Sequence, residues 1–123
     1  MITAIVEFKL PAPVTAAQAK EIFLSTAPKY RDMPGLIRKY YVVSEDGAKA
    51  GGVYLWRTRA DAERVYNDDW KAFVKGKYGT DPSLTYLECP VVVDNVLGEI
   101  ISERVSAHRF LPGGRSNAPL EDI

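Results

Sequence analysis

Gly51-Gly52-Val53-Tyr54-Leu55-Trp56 opens on two glycines and then runs apolar without alternation. Successive side chains of a strand point to opposite faces, so a strand with no polar position has to be covered on both of them. The glycine pair predicts a bend or a close approach of another backbone at the strand's entry. Thr58, with Asp61 three residues on, predicts that a helix starts as soon as the strand ends.

Working back towards the amino terminus, Glu45 to Ala50 is a polar loop containing Asp46-Gly47, suited to a hairpin. Before it, Leu36 to Ser44 (Leu-Ile-Arg-Lys-Tyr-Tyr-Val-Val-Ser) is a β-branched and aromatic second strand. Met33-Pro34-Gly35 in front of it is a turn, with proline at the first central position and glycine at the second. Ile2 to Lys9 places Ile2, Ala4, Val6 and Phe8 on one face of a first strand, which Leu10-Pro11-Ala12-Pro13 ends. Thr15 and Gln18 form a capping box for a first helix carrying Ala19, Ile22, Phe23, Ala27 and Tyr30 as a stripe. Pro28 predicts an end or kink near Thr26 or Ala27.

Forward of Trp56, the spacing predicts a second helix from about Arg59 to Lys77, with Ala62, Val65, Tyr66, Trp70 and Phe73 on one face and Gly76 and Gly79 at its end. A fourth strand, Leu84 to Val93, follows, with Cys89-Pro90 marking an edge position or a bulge. Leu97 to Val105 reads as a short helix or a fifth strand, and Pro112 to Ile123 as a tail.

The order β-α-β-β-α-β predicts an α+β, ferredoxin-like domain over residues 1–96, a four-stranded antiparallel sheet with two helices on one face, followed by an extension over 97–123 that packs on the domain or on a partner subunit. The other face, drawn from a set including Tyr40, Tyr41, Val42, Val43, Val53 and Leu55, would be a large apolar patch, which predicts a homodimer with sheets face to face.

A chain of 123 residues with sixteen basic and sixteen acidic side chains has room for one real core and has no net charge to recruit nucleic acid or an anionic membrane. The single Cys89 excludes an internal disulfide and a cysteine-clustered zinc site, and it fits a reducing compartment. Glu7 and Lys9 interrupt what a signal peptide would keep apolar, and no window is long and apolar enough for a membrane span, so the expectation is a cytoplasmic protein with a small-molecule ligand. No phosphate loop, Ser-His-Asp set or metal constellation can be assembled.

Met33-Pro34-Gly35-Leu36 before the second strand, the hairpin entering Gly51-Gly52-Val53-Tyr54-Leu55, and the helix directly behind that strand are shared with a known group. On these residues the chain resembles the dimeric α+β barrel superfamily, and within it the YdhR-like mono-oxygenase family, over residues 1–96. The resemblance implies a dimeric barrel and a cofactor-independent mono-oxygenase, an oxidoreductase whose electron-rich substrate itself supplies electrons to oxygen. The haem-degrading branch uses an Asn on the first strand, a Trp closing the third and a His on the second helix. Trp56 stands where that Trp would, but the first strand has no Asn, and Tyr66 and Asn67 occupy the level of the His. No haem, other cofactor or metal is therefore expected.

For such chemistry Trp56 and Asp69 are the candidate catalytic residues, and Tyr54, Tyr66, Trp70, Phe23 and Arg38 the candidate substrate-binding ones. Indole and phenol rings offer stacking faces with polar edges for a flat aromatic or phenolic substrate. Asp69 interrupts the second helix's apolar stripe, and a carboxylate in an apolar site could take a phenolic proton. Arg38 could hold a phenolate or, with Lys39, form a rim. Tyr40 and Tyr41 must point to opposite faces, one to a pocket and one to an interface, and the sequence leaves open which. Core packing is the competing reading of the aromatic residues, and a non-catalytic small-molecule binding or interaction protein on the same barrel is the competing reading of the chain.

Overall fold

The computed structural model describes residues 1–103; His108 and the remainder of the expected extension lie outside them. Residues Met1–Cys89 form one compact unit and a second begins at Pro90, seven residues before the expected boundary. The first unit contains β1 (Ile2–Lys9), α1 (Ala16–Tyr30), β2 (Leu36–Val43), β3 (Lys49–Trp56), α2 (Arg59–Val65), α3 (Asp68–Tyr78) and β4 (Ser83–Glu88). Its antiparallel sheet has the order β2-β3-β1-β4, the ferredoxin-like arrangement.

Turn chemistry does what the sequence predicts at three places. Gly35 adopts a left-handed φ of 81°, Leu36 donates to the Met33 carbonyl at 3.1 Å, and the Gly35 carbonyl accepts from Arg57 at 2.8 Å, which ties this turn to the end of β3. Gly47, at φ 74°, closes the β2–β3 hairpin. Gly51 permits the close approach of β1, since a side chain there would collide with the Val6 carbonyl.

Three elements differ from expectation. α1 continues through Pro28 to Tyr30, because Tyr30 beyond the proline packs edge-on against Tyr41 and Tyr54, with ring centroids 6.4 and 5.9 Å away. The single second helix is two, parted at Tyr66 and Asn67, where Asn67 caps α3 by accepting from the Trp70 amide at 2.9 Å. The new start turns Val74 inward beside Trp70 and leaves Phe73 half exposed, while Gly76 is helical and only Gly79, at φ 84°, ends the helix. The strand expected from Leu84 to Val93 breaks at Cys89-Pro90, because proline has no amide to donate to a ladder. Cys89 itself is only partly buried.

The second unit contains a hairpin of β5 (Val91–Asp94) and β6 (Glu99–Ser102), so the region from Leu97 supplies a strand. The buried Asp94 carboxylate organises its turn by accepting from the Val96 and Leu97 amides, each at 3.0 Å.

The core of the first unit lies between the sheet and its helices. Ala4 and Val6 of β1 and Tyr54 and Trp56 of β3 meet Ala62, Tyr66, Trp70 and Val74. Which residues of β2 join them is decided by a bulge: Leu36 pairs with Trp56 and Arg38 with Leu55, leaving Ile37 as the extra residue. Across it the alternation shifts by one, so Leu36, Lys39, Tyr41 and Val43 share the helix face. Tyr41 and Val43 thereby leave the set expected on the open face, where Ile5, Tyr40, Val42, Val53, Leu55 and Leu87 stand among Thr3, Glu7, Arg38 and Thr85.

Candidate active site: an aromatic cleft around Lys39

Between the sheet and helices α1 and α3 lies a cleft floored by Val6, Gly52 and Tyr54 and walled by Phe23, Tyr30, Tyr41, Trp70 and Tyr78. The rings brace one another. Phe23 stacks on Tyr41 at 4.9 Å between centroids, and the Tyr41 hydroxyl is hydrogen-bonded to the Thr26 hydroxyl at 2.8 Å. Phe8 stacks on Tyr78 at 4.2 Å, closing one end. The Trp70 indole N–H points to the Tyr30 hydroxyl at 3.4 Å.

The inner space is about 40 Å³, enough for about three waters when each needs roughly 10–15 Å³. It adjoins a groove of about 350 Å³ along the free edge of β2, between Leu36–Tyr41 and the end of α1. Tyr30, Lys39 and Tyr41 line both, so these three side chains stand between the groove and the inner space.

Of the residues expected to bind substrate, Tyr54, Trp70 and Phe23 line the cleft. Tyr66 does not: it is buried behind the wall, its ring 4.7 Å from that of Trp70, and burial holds its hydroxyl protonated far above the ordinary tyrosine range. Burial does the same for Tyr54, and for Tyr41 more weakly. Arg38 is turned to the sheet's other face by the Ile37 bulge, where it donates to the Tyr40 hydroxyl at 3.3 Å.

The two expected catalytic residues are outside the cleft. Trp56 is 0% exposed, stacked behind Tyr54 with centroids 6.1 Å apart, and it donates its indole N–H to the Tyr66 hydroxyl at 3.0 Å. As the last residue of β3 it lies under α2, whereas the cleft opens toward α1 and α3. Asp69 is exposed in the first turn of α3, because the break at Asn67 rotates this helix so that Trp70 and Val74 face inward. At Gly52 a Cβ would meet the Tyr54 ring at 2.8 Å and the Lys39 stem at 3.2 Å, so glycine here admits those two side chains.

Tyr30, Tyr78 and Lys39 line the cleft without having been candidates, and Lys39 is the one that carries a charge. A lysine beside an arginine on a strand reads as rim, and the bulge that turns it inward has no composition signal. Its ammonium stands 3.5, 3.7 and 4.6 Å from the ring centroids of Tyr30, Tyr41 and Tyr54. Burial chiefly, and then the positive charge of Lys29, lowers its pKa to about 7. Among the described residues no three His, Cys, Asp or Glu side chains converge as metal ligands, and no helix is long and apolar enough to cross a membrane.

A family model described as "Putative mono-oxygenase ydhR" matches residues 4–78. No curated protein matches the sequence. Solved structures share the fold at low identity. A protein of unknown function from Nitrosomonas europaea, NE2512, is 13% identical with a TM-score of 0.56, covering 72% of this chain and 87% of that one. SnoaB, a cofactor-independent oxygenase from Streptomyces nogalater, is 13% identical with a TM-score of 0.53, covering 72% and 91%. The mono-oxygenase from the gene ActVA-Orf6 of Streptomyces coelicolor, in complex with the ligand nanaomycin D, is 17% identical with a TM-score of 0.51, covering 91% and 92%.

Proposed function

Since the chain belongs to the ydhR mono-oxygenase family, we propose that it is a cofactor-independent mono-oxygenase whose substrate is a small aromatic or phenolic molecule held between sheet and helices. The observation that carries this reading is the cleft itself, with Phe23, Tyr30, Tyr41, Tyr54 and Trp70 around one amine. Aromatic walls with few polar groups suit a flat ring and fix its orientation by stacking. An anion formed on such a ring in a site of low polarity is a better electron donor than the same anion in water, because solvation no longer stabilises its charge. The fold neighbour that is a cofactor-independent oxygenase supports the same reaction class.

The same reading has the protein acting in the cytoplasm as a homodimer joined through the open face of the sheet. Oxygen uptake by the purified protein with a series of electron-rich phenols, followed at an oxygen electrode with metal chelator present, is the test. Uptake matched by hydroxylated or quinone product is the expected result. Saturable binding of the phenols without uptake would make the chain a binding protein on the same fold.

A further inference from the structure

Lysine side chains ordinarily run their methylenes along a surface and keep the ammonium in water. Lys39 does the reverse, with its stem over Gly52 and its nitrogen in a ring of three tyrosines. Ring faces attract a cation but offer it no counter-charge, and among the described residues no carboxylate stands within ion-pair distance of this nitrogen. The titratable and charged groups around it are Lys29 and Tyr30 of α1, Arg31 and Asp32 just beyond that helix, Tyr41 of its own strand, Tyr54 of β3, and Tyr78 of α3, while its neighbour Arg38 points to the sheet's other face. Two of them, Lys29 and Arg31, are cationic, and the tyrosines on which burial acts, Tyr41, Tyr54 and Tyr78, are held protonated. Lys39 also lines both the inner space and the outer groove.

We propose that the Lys39 amine is the base of this site: it accepts the hydroxyl proton of a phenol seated in the groove and then holds the resulting phenolate as its counter-ion. The assignment rests on the reading of the cleft as a site for phenols. In the transfer the phenol O–H bond breaks, an N–H bond forms on Nζ, and no electron moves; dioxygen, the co-substrate of the proposed reaction, is reduced only by the anion so formed. The neutral amine is available because burial and Lys29 bring its pKa to about 7, and the ammonium formed, which has no counter-ion in the free site, pairs with the phenolate. Without substrate the three rings occupy the place of the missing anion.

The test uses 4-nitrophenol, whose ionised form has its own visible absorption, with wild type, Lys39→Met and Lys39→Arg. Wild type is expected to bind it with the spectrum of the phenolate at a pH where the free probe is largely neutral. Lys39→Met should lose that signature, whereas Lys39→Arg keeps a cation and should retain it. With an oxidisable phenol, kcat/KM for oxygen uptake should rise with pH and level off above about 7, and both variants should lose about 10²-fold or more, since arginine pairs with an anion but does not accept a proton. Folding is followed separately. Between about 7 and its ordinary value of 10.5 the unfolded chain holds a proton on Lys39 that the folded one lacks, so wild type gains stability with rising pH in that window. Lys39→Met should therefore melt higher than wild type below it, by a margin that closes toward 10.5.

Failure of wild type to bind the probe, a neutral-phenol spectrum, or a Lys39→Met variant with the wild-type spectrum would overturn the assignment. A phenolate signature that needs Lys39, without oxygen uptake from any phenol, would remove the oxygenase reading and leave the base in place. Uptake unaffected in Lys39→Met would do the opposite.

Discussion

Trp56, expected in the cleft, lies behind it, and Lys39, read as rim, lines it. Trp56 has no exposed surface and its one polar atom is bonded to the Tyr66 hydroxyl. Trp56→Phe keeps an aromatic ring but removes that donor and leaves a gap, so we expect a loss of about 1–3 kcal/mol from the unpartnered Tyr66 hydroxyl alone, with ligand binding in the cleft close to wild type. Thermal melting beside a binding isotherm checks it; unchanged melting with lost binding would return Trp56 to the site. That Trp56, Tyr54 and Gly52 share a face was legible from strand alternation. The inward turn of Lys39 was not, because one residue of bulge at Ile37 exchanges the faces of everything after Leu36 in β2, and any β-branched residue could have occupied that position. Tyr41, not Tyr40, reaches the cleft for the same reason.

Among the elements, capping boxes and turns were the parts most plainly written in the sequence. Thr15 and Gln18 cap α1 reciprocally, and Thr58 accepts from the Asp61 amide at 3.1 Å. The division between α2 and α3 was hidden, because the apolar period continues across it and Asn67 looks like one polar residue on a wet face. Its side chain accepts from the Trp70 amide at 2.9 Å and donates to the Arg64 carbonyl at 3.2 Å, offering the backbone an alternative to helix on both sides. Asn67→Ala should accordingly cost about 1 kcal/mol, visible as a lower urea midpoint with unchanged slope. A variant as stable as wild type would show that packing of Tyr66 and Trp70, rather than the cap, sets the break. The Cys89-Pro90 step was read as an edge or bulge within one strand, and the missing proline amide ends the strand altogether.

On the scale of the whole molecule, the open face of the sheet carries Ile5, Val42, Val53, Leu55 and Leu87, and Tyr40 there is 54% exposed. Leu55→Asp would set a charge amid these side chains. If the proposed homodimer forms through them, burial of that charge costs several kcal/mol, and sedimentation should show monomer or aggregate for the variant against dimer for wild type. A wild-type monomer at micromolar concentration would end the dimer reading. The cleft lies on the reverse of this same sheet, so β2 carries Lys39 and Tyr41 toward one function and Tyr40 and Val42 toward the other, in strict alternation. The two surfaces are consequently inherited together. A single codon gained or lost between Arg38 and Val43 would exchange them at a stroke. Lineages descending from this chain have almost no freedom to change the length of this strand.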